Sequence, residues 1–233
     1  MIQRNKAEKV PDCIGVIMDG NRRWAKERGL SILEGHKAGY ERFKEFIGWA
    51  GDRRVNNLIF YVFSTENWKR DEGEKSYLFK LIETAFKNDL EEIKNRNVRI
   101  KFIGQIDRFS KTIVKVLHDA EEQTAHNTGV TVMLALSYGG RSEILHAVNE
   151  LIAKGRKEPV TEEEFEKHLW TKDIPDPDLI IRTGEAMRLS NFLPCQSIYS
   201  ELYFTNTYWP DFDRKEFEYI LEEYSGRERR MGK

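Results

Sequence analysis

The sequence predicts an α/β fold, a single domain in which a mostly parallel central sheet of about six strands is flanked by helices. Short apolar runs of strand length alternate along the chain with segments whose apolar residues recur at spacings of three and four. The 233 residues contain neither an internal repeat nor a linker rich in Pro, Gly or Ser. We therefore expect one domain over residues 1–233, with flexible ends at 1–12 and 226–233.

The individual elements follow from the same patterns. The candidate strands are 14–18, 58–63, 98–103, 130–136, 178–181 and 200–204. The candidate helices are 24–28, 40–50, 74–96, 110–126 and 142–154, and Thr161 and Asp213 begin the capping boxes of two shorter helices. We expect residues 74–96 to form one continuous helix of about six turns. The two prolines within 173–178 exclude a helix there, so this segment leads directly into the strand that follows it.

Four of these strands are followed directly by arginine and by hydroxyl or amide side chains. The four loops begin at Asp19, Ser64, Ser137 and Arg182. In an open α/β sheet, ligands bind in the crevice outside the carboxyl ends of the strands. We therefore expect the four loops to converge on one polar site.

The loop after the first strand, Asp19-Gly20-Asn21-Arg22-Arg23, has the composition of a diphosphate site. Unpaired N–H groups at a helix start favour an anion, and arginine donors match phosphate oxygens. Asp19 would repel a phosphate unless a cation lay between them, and Mg²⁺ commonly bridges a carboxylate to substrate phosphates. The loop thus indicates a magnesium-dependent diphosphate site. An ordinary turn with a helix N-cap and solvated arginines is the alternative interpretation.

Composition narrows the functional classes. The chain has 38 Lys and Arg against 39 Asp and Glu, a formal charge of −1, which argues against a general nucleic-acid surface. Cys13 and Cys195 lack metal-ligand spacing, and we expect both to be reduced in a cytoplasmic protein. The sequence has neither a signal-peptide pattern nor an apolar run near the roughly 18 residues of a membrane-spanning helix. Weak peripheral contact with a membrane is left open.

Five motifs occur in a fixed order along the chain. They are 19–24 (DGNRRW), 35–39 (GHKAG), 63–68 (FSTENW), 182–184 with 188–192, and 201–204 with 209–210. Together they resemble the cis-prenyltransferases, and the resemblance covers residues 14–231. The aspartate-rich DDxxD segments that trans-type synthases use are absent from the sequence.

The resemblance implies an enzyme that adds isopentenyl diphosphate stepwise to an allylic diphosphate, with farnesyl diphosphate as the expected primer, and that forms Z double bonds. It also implies Mg²⁺ dependence, a homodimer, and an apolar tunnel for the growing chain between two helices and the sheet. The expected product is a polyprenyl diphosphate of medium length, such as undecaprenyl diphosphate, which serves as a lipid carrier for cell-wall glycans.

The resemblance also assigns roles to residues. Asp19 is the expected metal-linked carboxylate, and Glu201 is the expected second metal ligand. The expected catalytic residues are Asp19, Ser64 and Asn67, of which the last two orient the incoming substrate and relay its proton. The expected substrate-binding residues are Gly20, Asn21, Arg22, Arg23, Trp24, His36, Ser64, Thr65, Glu66, Trp68, Arg70, Arg182, Arg188 and Ser190. Within that set, Arg182, Arg188 and Ser190 would hold the diphosphate of isopentenyl diphosphate.

Several of these residues also have an ordinary structural interpretation. Glu66 can be a cap or an ion-pair partner, and Trp68 can be a core aromatic residue. Glu201 can be an edge-strand glutamate with an arginine partner. His36 can be a capped or solvated residue at a helix start, but its place next to glycine and Lys37 favours contact with a diphosphate.

The chain departs from the pattern of the family at several positions. Ile32 stands where many relatives carry arginine, and residues 184–186 read Gly-Glu-Ala where the family usually reads Gly-Gly-Glu or Ser-Gly-Glu. Val62 stands where some medium-chain relatives carry alanine, which leaves a short-chain synthase open. Two other classes also stay open, a non-catalytic subunit of this fold and an α/β phosphohydrolase or nucleotide-binding module. Retention of Asp19 and its loop argues against the subunit.

Overall fold

The computed structural model describes residues 9–227. The strands are β1 (Cys13–Ile17), β2 (Asn57–Ser64), β3 (Arg99–Ile103), β4 (Thr131–Tyr138), β5 (Leu179–Arg182) and β6 (Glu201–Phe204). Over the described residues they form one sheet in the order β3-β4-β2-β1-β5-β6, and every neighbouring pair is parallel. The predicted α/β class and the predicted strands are therefore confirmed.

Helices connect the strands. They are α1 (Asn21–Glu27), α2 (Ile32–Asp52), α3 (Glu72–Asn88), α4 (Leu90–Asn95), α5 (Lys111–Thr124), α6 (Gly140–Ala153), α7 (Glu162–Glu166) and α8 (Arg214–Gly226). Side chains of α2, α3, α5 and α8 bury one face of the sheet in a core rich in aromatic rings. On the other face, Phe192 and Leu193 belong to a second cluster with alternate residues of the strands. The predicted capping boxes are half formed: the Thr161 and Asp213 side chains accept hydrogen bonds from backbone N–H groups three residues later. The glutamates that would complete them bind Arg156 and Thr205 instead.

The register of the sheet brings the site-bearing loops to one edge. Ile17, the last residue of β1, pairs with Arg182, the last residue of β5. Arg182 in turn pairs with Phe204, the last residue of β6. Because the strands are parallel, the segments that follow all three leave the sheet at the same edge.

The predicted continuous helix over 74–96 is wrong, because the chain bends at Asp89 between α3 and α4. The carboxylate of Asp89 accepts a hydrogen bond from the Tyr40 hydroxyl on α2 and lies 3.7 Å from the Nζ atom of Lys44. Burial raises the pKa of the Tyr40 hydroxyl, and the bond to Asp89 raises it further. A partner on another helix therefore fixes the bend. The apolar spacing within residues 74–96 does not predict this bend.

Two glycines of α2 allow α1 to pack against it closely. A Cβ atom on Gly35 would lie 2.3 Å from the carbonyl oxygen of Asn21, and one on Gly39 would lie 2.4 Å from the Asn21 Oδ1 atom. Side chains at either position would push α1 away from α2. The two glycines thus set the position of Asn21 at the start of α1.

The ends of the described segment are held by side-chain contacts. The Asp12 carboxylate accepts hydrogen bonds from the side-chain amides of Asn56 and Asn57, and Arg227 donates to Glu201. The remainder of the predicted flexible ends, 1–8 and 228–233, lies outside the described residues. Among residues 9–227, no helix combines the length and the apolar composition needed to cross a bilayer.

Candidate active site

A cavity of about 720 Å³ lies between α2, α3 and the sheet and opens at the carboxyl edge. Its mouth is polar, and the lining there includes Asp19, Asn21, His36, Ser64, Glu66, Asn67, Arg70, Arg182 and Ser190. Its body is mostly apolar, and the lining there includes Phe43, Ile47, Leu78, Leu81, Ile82, Ala85, Phe86, Ile93, Val98, Ile100, Leu134 and Leu136. The cavity can therefore hold a molecule with an anionic head and a long hydrocarbon tail.

Asp19 lies at the centre of the mouth, directly after β1. Its backbone N–H donates to the Thr183 hydroxyl at 3.0 Å, and the same hydroxyl donates to its carbonyl oxygen at 2.7 Å. Its carboxylate accepts from Arg23 Nη2 at 3.1 Å and from Arg182 Nη2 at 2.9 Å. The side chain is 31% exposed, so the carboxylate remains accessible from the cavity.

Arg182 connects Asp19 to the loop that follows β5. Its side chain is only 5% exposed, and its Nη1 atom donates to the Ser190 hydroxyl at 2.8 Å and to the carbonyl oxygen of Arg188. Within the described part of the chain, its buried Nε atom has no hydrogen-bond partner. The guanidinium therefore joins the two places at which the sequence predicts diphosphate groups.

Arg23 and Gly20 complete this side of the mouth. Arg23 Nη2 also donates to the carbonyl oxygen of Gly184 at 2.7 Å, and its guanidinium lies 5.2 Å from the centre of the Tyr208 ring. Gly20 has a φ of 108°, and a Cβ atom there would lie 2.6 Å from Tyr208. Glycine is therefore required where the chain turns from Asp19 into α1.

A second carboxylate, Glu74, organises the other side of the mouth from a buried position. Its Oε1 atom lies 3.2 Å from His36 Nε2 and 3.0 Å from Arg70 Nη1, and its Oε2 atom lies 3.8 Å from Arg22 Nη1. Burial lowers the pKa of His36, although the hydrogen bond to Glu74 opposes this shift. Sequence analysis missed Glu74, and the available signal was its spacing of four residues from Arg70, which lies in extended backbone just before α3.

The chain is similar to known proteins over almost its whole length. Residues 17–232 match the family model of the undecaprenyl diphosphate synthases. The chain belongs to this family. It is 44% identical over 224 residues to an isoprenyl transferase of Neisseria meningitidis serogroup B, a match that covers 96% of this chain and 90% of the relative. It is 41% identical to an isoprenyl transferase of Thermotoga maritima, with 96% and 97% covered.

The fold is shared with a solved structure of a related enzyme. Lavandulyl diphosphate synthase from Lavandula x intermedia, in complex with dimethylallyl diphosphate, superimposes with a TM-score of 0.92 at 32% identity. The match covers 96% of this chain and 99% of that one. The chain is thus an isoprenyl transferase, which condenses isopentenyl diphosphate with an allylic diphosphate. The resemblance to cis-prenyltransferases is confirmed.

In this family member, Ser64 and Asn67 form a reciprocal cap. The Ser64 N–H donates to Asn67 Oδ1 at 3.0 Å, and the Asn67 N–H donates to Ser64 Oγ at 3.2 Å. The cap holds both side chains at the mouth of the cavity. Glu66 accepts from Asn191 at 3.2 Å; burial raises its pKa, but hydrogen bonds that include those from Ser64 and Asn191 lower it overall.

The structure does not bring every predicted substrate contact to the cavity. Trp24 donates through Nε1 to Asp211 at 2.6 Å, because it lies on the side of α1 that faces residues 209–211. Trp68 donates to the Ser137 hydroxyl and packs among core aromatic rings, as its structural interpretation predicts. The Thr65 hydroxyl donates to Glu66 at 3.1 Å. The side chain of Arg188 is exposed, and only the backbone carbonyl oxygen of Arg188 accepts a hydrogen bond from Arg182.

Glu201 lies away from Asp19 within one chain. It pairs with Leu179 at the amino end of β5, whereas the site lies past the carboxyl end. Leu179 is three residues before Arg182, the last residue of β5, and three residues of strand span roughly 10 Å. Its carboxylate accepts from Arg227 Nη1 at 2.7 Å. This placement corresponds to the alternative interpretation, an edge-strand glutamate with an arginine partner.

The donor set at the mouth suits Mg²⁺ only together with a substrate. Among residues 9–227, no three His, Cys, Asp or Glu side chains cluster as metal ligands. Mg²⁺ is commonly bound through one or two carboxylates plus substrate phosphates, and Asp19 is one accessible carboxylate. The buried Asn21 Oδ1 atom, which also lacks a partner in the described chain, adds an unsatisfied acceptor at the same mouth.

Proposed function

We propose that this isoprenyl transferase adds isopentenyl diphosphate repeatedly to farnesyl diphosphate, with Mg²⁺, and releases a Z-polyprenyl diphosphate of medium length such as undecaprenyl diphosphate. The supporting observation is the single cavity that joins the Asp19–Arg182 mouth to an apolar body. The mouth would hold the two diphosphates, and the body would remove the hydrocarbon tail from water. Each buried CH₂ would contribute about 0.8 kcal/mol.

Asp19 and its neighbours would act on the allylic diphosphate. Gly20, Asn21 and Arg23 form the start of α1 beside Asp19, where backbone N–H groups favour an anion. The diphosphate gains negative charge as its C–O bond breaks, so fixed donors there stabilise the transition state more than the substrate. Asp19 would help to hold Mg²⁺, which would supply additional positive charge as the diphosphate leaves.

Arg182 and Ser190 would hold the diphosphate of isopentenyl diphosphate, with Arg188 reaching in from its exposed position. Their loop already contacts the Asp19 side through Arg182, which would place the two substrates next to each other. Ser64 and Asn67 would orient the incoming substrate and relay the proton it loses to a diphosphate oxygen. Their reciprocal cap holds both groups at the cavity wall.

The tunnel body would limit product length. Tyr40 and Asp89 line it and bind one another across the gap between α2 and the α3–α4 bend, which places a polar bridge in an apolar wall. Val62 lines the same cavity. A synthase of shorter chains is the second candidate, and the close fold match to lavandulyl diphosphate synthase favours it.

We also propose that the chain acts as a homodimer built from single catalytic domains of 233 residues. Exposed apolar side chains support a second copy, among them Leu145 and Ile152 on α6 and Ile198. A second copy is also the way in which Glu201 could approach an Asp19 carboxylate. Cytoplasmic location and weak membrane contact remain predictions from the sequence.

The test is a product assay. Purified protein is incubated with labelled isopentenyl diphosphate, farnesyl diphosphate and Mg²⁺, with EDTA in the control, and the extracted products are sized. We expect a Mg²⁺-dependent ladder that ends at a medium-length polyprenyl diphosphate. Products of one or two additions would favour the short-chain synthase. Absence of incorporation from folded protein with any short allylic primer would contradict the proposal.

A further inference from the structure

The departure at residues 184–186 places an unusual backbone beside the mouth. Glu185 has a φ of 67°, in the left-handed region that side-chain-bearing residues seldom adopt. Two hydrogen bonds hold the segment there, from Gly184 N–H to the Thr207 carbonyl at 2.8 Å and from Glu185 N–H to the Thr205 carbonyl at 3.0 Å. The backbone is thus fixed in a conformation that sends the Glu185 side chain toward Arg23.

The side chain of Glu185 binds the same arginine as Asp19. Arg23 Nη1 donates to Glu185 Oε2 at 3.1 Å, while Arg23 Nη2 donates to Asp19 and to the Gly184 carbonyl. A Cβ atom on Gly184 would lie 2.8 Å from Arg23 Nη2, so the absence of a side chain there permits this approach. The guanidinium of Arg23 therefore lies between two carboxylates of its own chain.

These contacts compete with a substrate. An allylic diphosphate that binds at the start of α1 needs the donors of Arg23, and both Nη atoms are already bonded. The Glu185 side chain is 56% exposed, against 31% for Asp19. Of the two, Glu185 has the freer path into solvent, and its departure releases Nη1.

We propose that Glu185 is an internal competitor of the allylic diphosphate: it occupies Arg23 when the substrate is absent and is displaced when the diphosphate binds. The inference rests on the proposed function, because it assigns Arg23 to that diphosphate. Glu185 is a positioning residue that acts through Arg23 and sets the affinity of the site. Its charge also offsets one of the arginines at the mouth, so its neutralisation makes the mouth more attractive to an anion.

The test measures the dissociation constant for farnesyl diphosphate with Mg²⁺ and without isopentenyl diphosphate, so that no turnover occurs. The variants are Glu185→Gln, which keeps shape and removes charge, and Glu185→Gly, which also suits the left-handed backbone. Glu158→Gln is the matched control. Glu158 is exposed on the loop after α6, and its substitution changes the net charge by the same amount. An exposed ion pair of this kind predicts binding about two- to fivefold tighter in both Glu185 variants and unchanged in the control.

Steady-state kinetics provides the second readout. Removal of a competitor strengthens ground-state and transition-state binding alike, so the KM for farnesyl diphosphate should fall while kcat and the KM for isopentenyl diphosphate stay the same. Unchanged or weaker binding in Glu185→Gln would overturn the inference. So would a lower kcat together with a higher Mg²⁺ requirement, which would make Glu185 a metal ligand. If the unmodified enzyme neither binds nor extends farnesyl diphosphate, the proposed function itself fails.

Discussion

Two carboxylates organise the arginines of the mouth, and they differ in exposure. Asp19 is 31% exposed, lines the cavity and binds Arg23 and Arg182. Glu74 is 8% exposed, lies behind the lining and binds His36 and Arg70. The comparison shows that one chain can use carboxylate–cation pairs for two purposes. An accessible carboxylate can exchange a partner for a ligand, whereas a buried carboxylate fixes the geometry of the groups around it.

The energetics of the two clusters follow from this difference. Removal of one partner from a buried ion pair leaves a desolvated charge, which commonly costs about 3–5 kcal/mol of stability. The Asp19 carboxylate is 31% exposed and screened by water, so its pairs contribute less, although its partner Arg182 is itself buried. We therefore expect Asp19 to matter mainly for the reaction and Glu74 mainly for the folded structure.

The largest expected effect is on catalysis at Asp19. Asp19→Asn keeps the shape of the side chain and can still accept hydrogen bonds, but it loses the charge that would hold Mg²⁺. We expect kcat to fall about 10²- to 10³-fold, the usual range for loss of one electrostatic stabiliser of the transition state. The measurement is turnover with saturating substrates, with denaturant unfolding as the check on the fold. Turnover within twofold of the unmodified enzyme would remove Asp19 from the mechanism.

The next effect is on stability at Glu74. Glu74→Ala should lower the free energy of unfolding by about 3 kcal/mol, because Arg70 and His36 lose their shared buried partner. Urea denaturation measures it. Glu72→Ala is the control: Glu72 is 87% exposed in its pair with Lys75, and its removal should cost about 0.5 kcal/mol. Equal losses in both variants would erase the distinction between buried and accessible pairs.

A smaller effect concerns the pH dependence of stability through His36. Burial lowers the pKa of His36 in the folded state, while in the unfolded chain it stays near its ordinary value of about 6.5. As the pH falls through that value, the unfolded chain takes up a proton that the folded protein resists, so stability should decrease. In His36→Gln, the decrease between pH 7.5 and 5.5 should be shallower. Denaturant unfolding at both pH values checks this, and identical slopes would contradict it.

The smallest effect extends the comparison to a third carboxylate, Asp89. Its partner Tyr40 carries no charge, and the pair lines the tunnel body. Tyr40→Ala opens this wall, so the distribution of products should shift toward longer chains while the rate of the first addition stays similar. Chromatographic sizing of the products measures the shift. Tyr219→Ala, at a 52% exposed position on α8, is the control, and an equal shift in both variants would contradict the role of Tyr40.

Features that depend on local sequence were predictable. The strands are apolar runs, and their parallel order places Asp19 and Arg182 at one edge of the sheet. The position of the polar mouth could therefore be predicted from where the strands end. Ser64 and Asn67 follow β2 and line the same cavity. The chemistry of an arginine-rich loop after a buried strand is visible without any knowledge of tertiary contacts.

Features that depend on partners from distant segments were not predictable. The bend at Asp89 needs Tyr40 of α2, and the role of Glu74 needs His36, 38 residues away. Trp24 belongs to a site motif, yet its indole N–H binds Asp211, outside the cavity lining. Local patterns do not encode which side chains come into contact. A motif therefore predicted the region in which a residue lies, but it did not predict the residue's contacts.

The most direct test of the account is a crystal structure with Mg²⁺, isopentenyl diphosphate and farnesyl thiodiphosphate, an allylic analogue that ionises slowly. The account predicts one diphosphate at the start of α1 near Asp19 and the other on Arg182 and Ser190, with the farnesyl tail between α2 and α3. It also predicts that Arg23 contacts the allylic diphosphate. Diphosphates bound away from Asp19 and Arg182, or a tail outside the cavity, would contradict it.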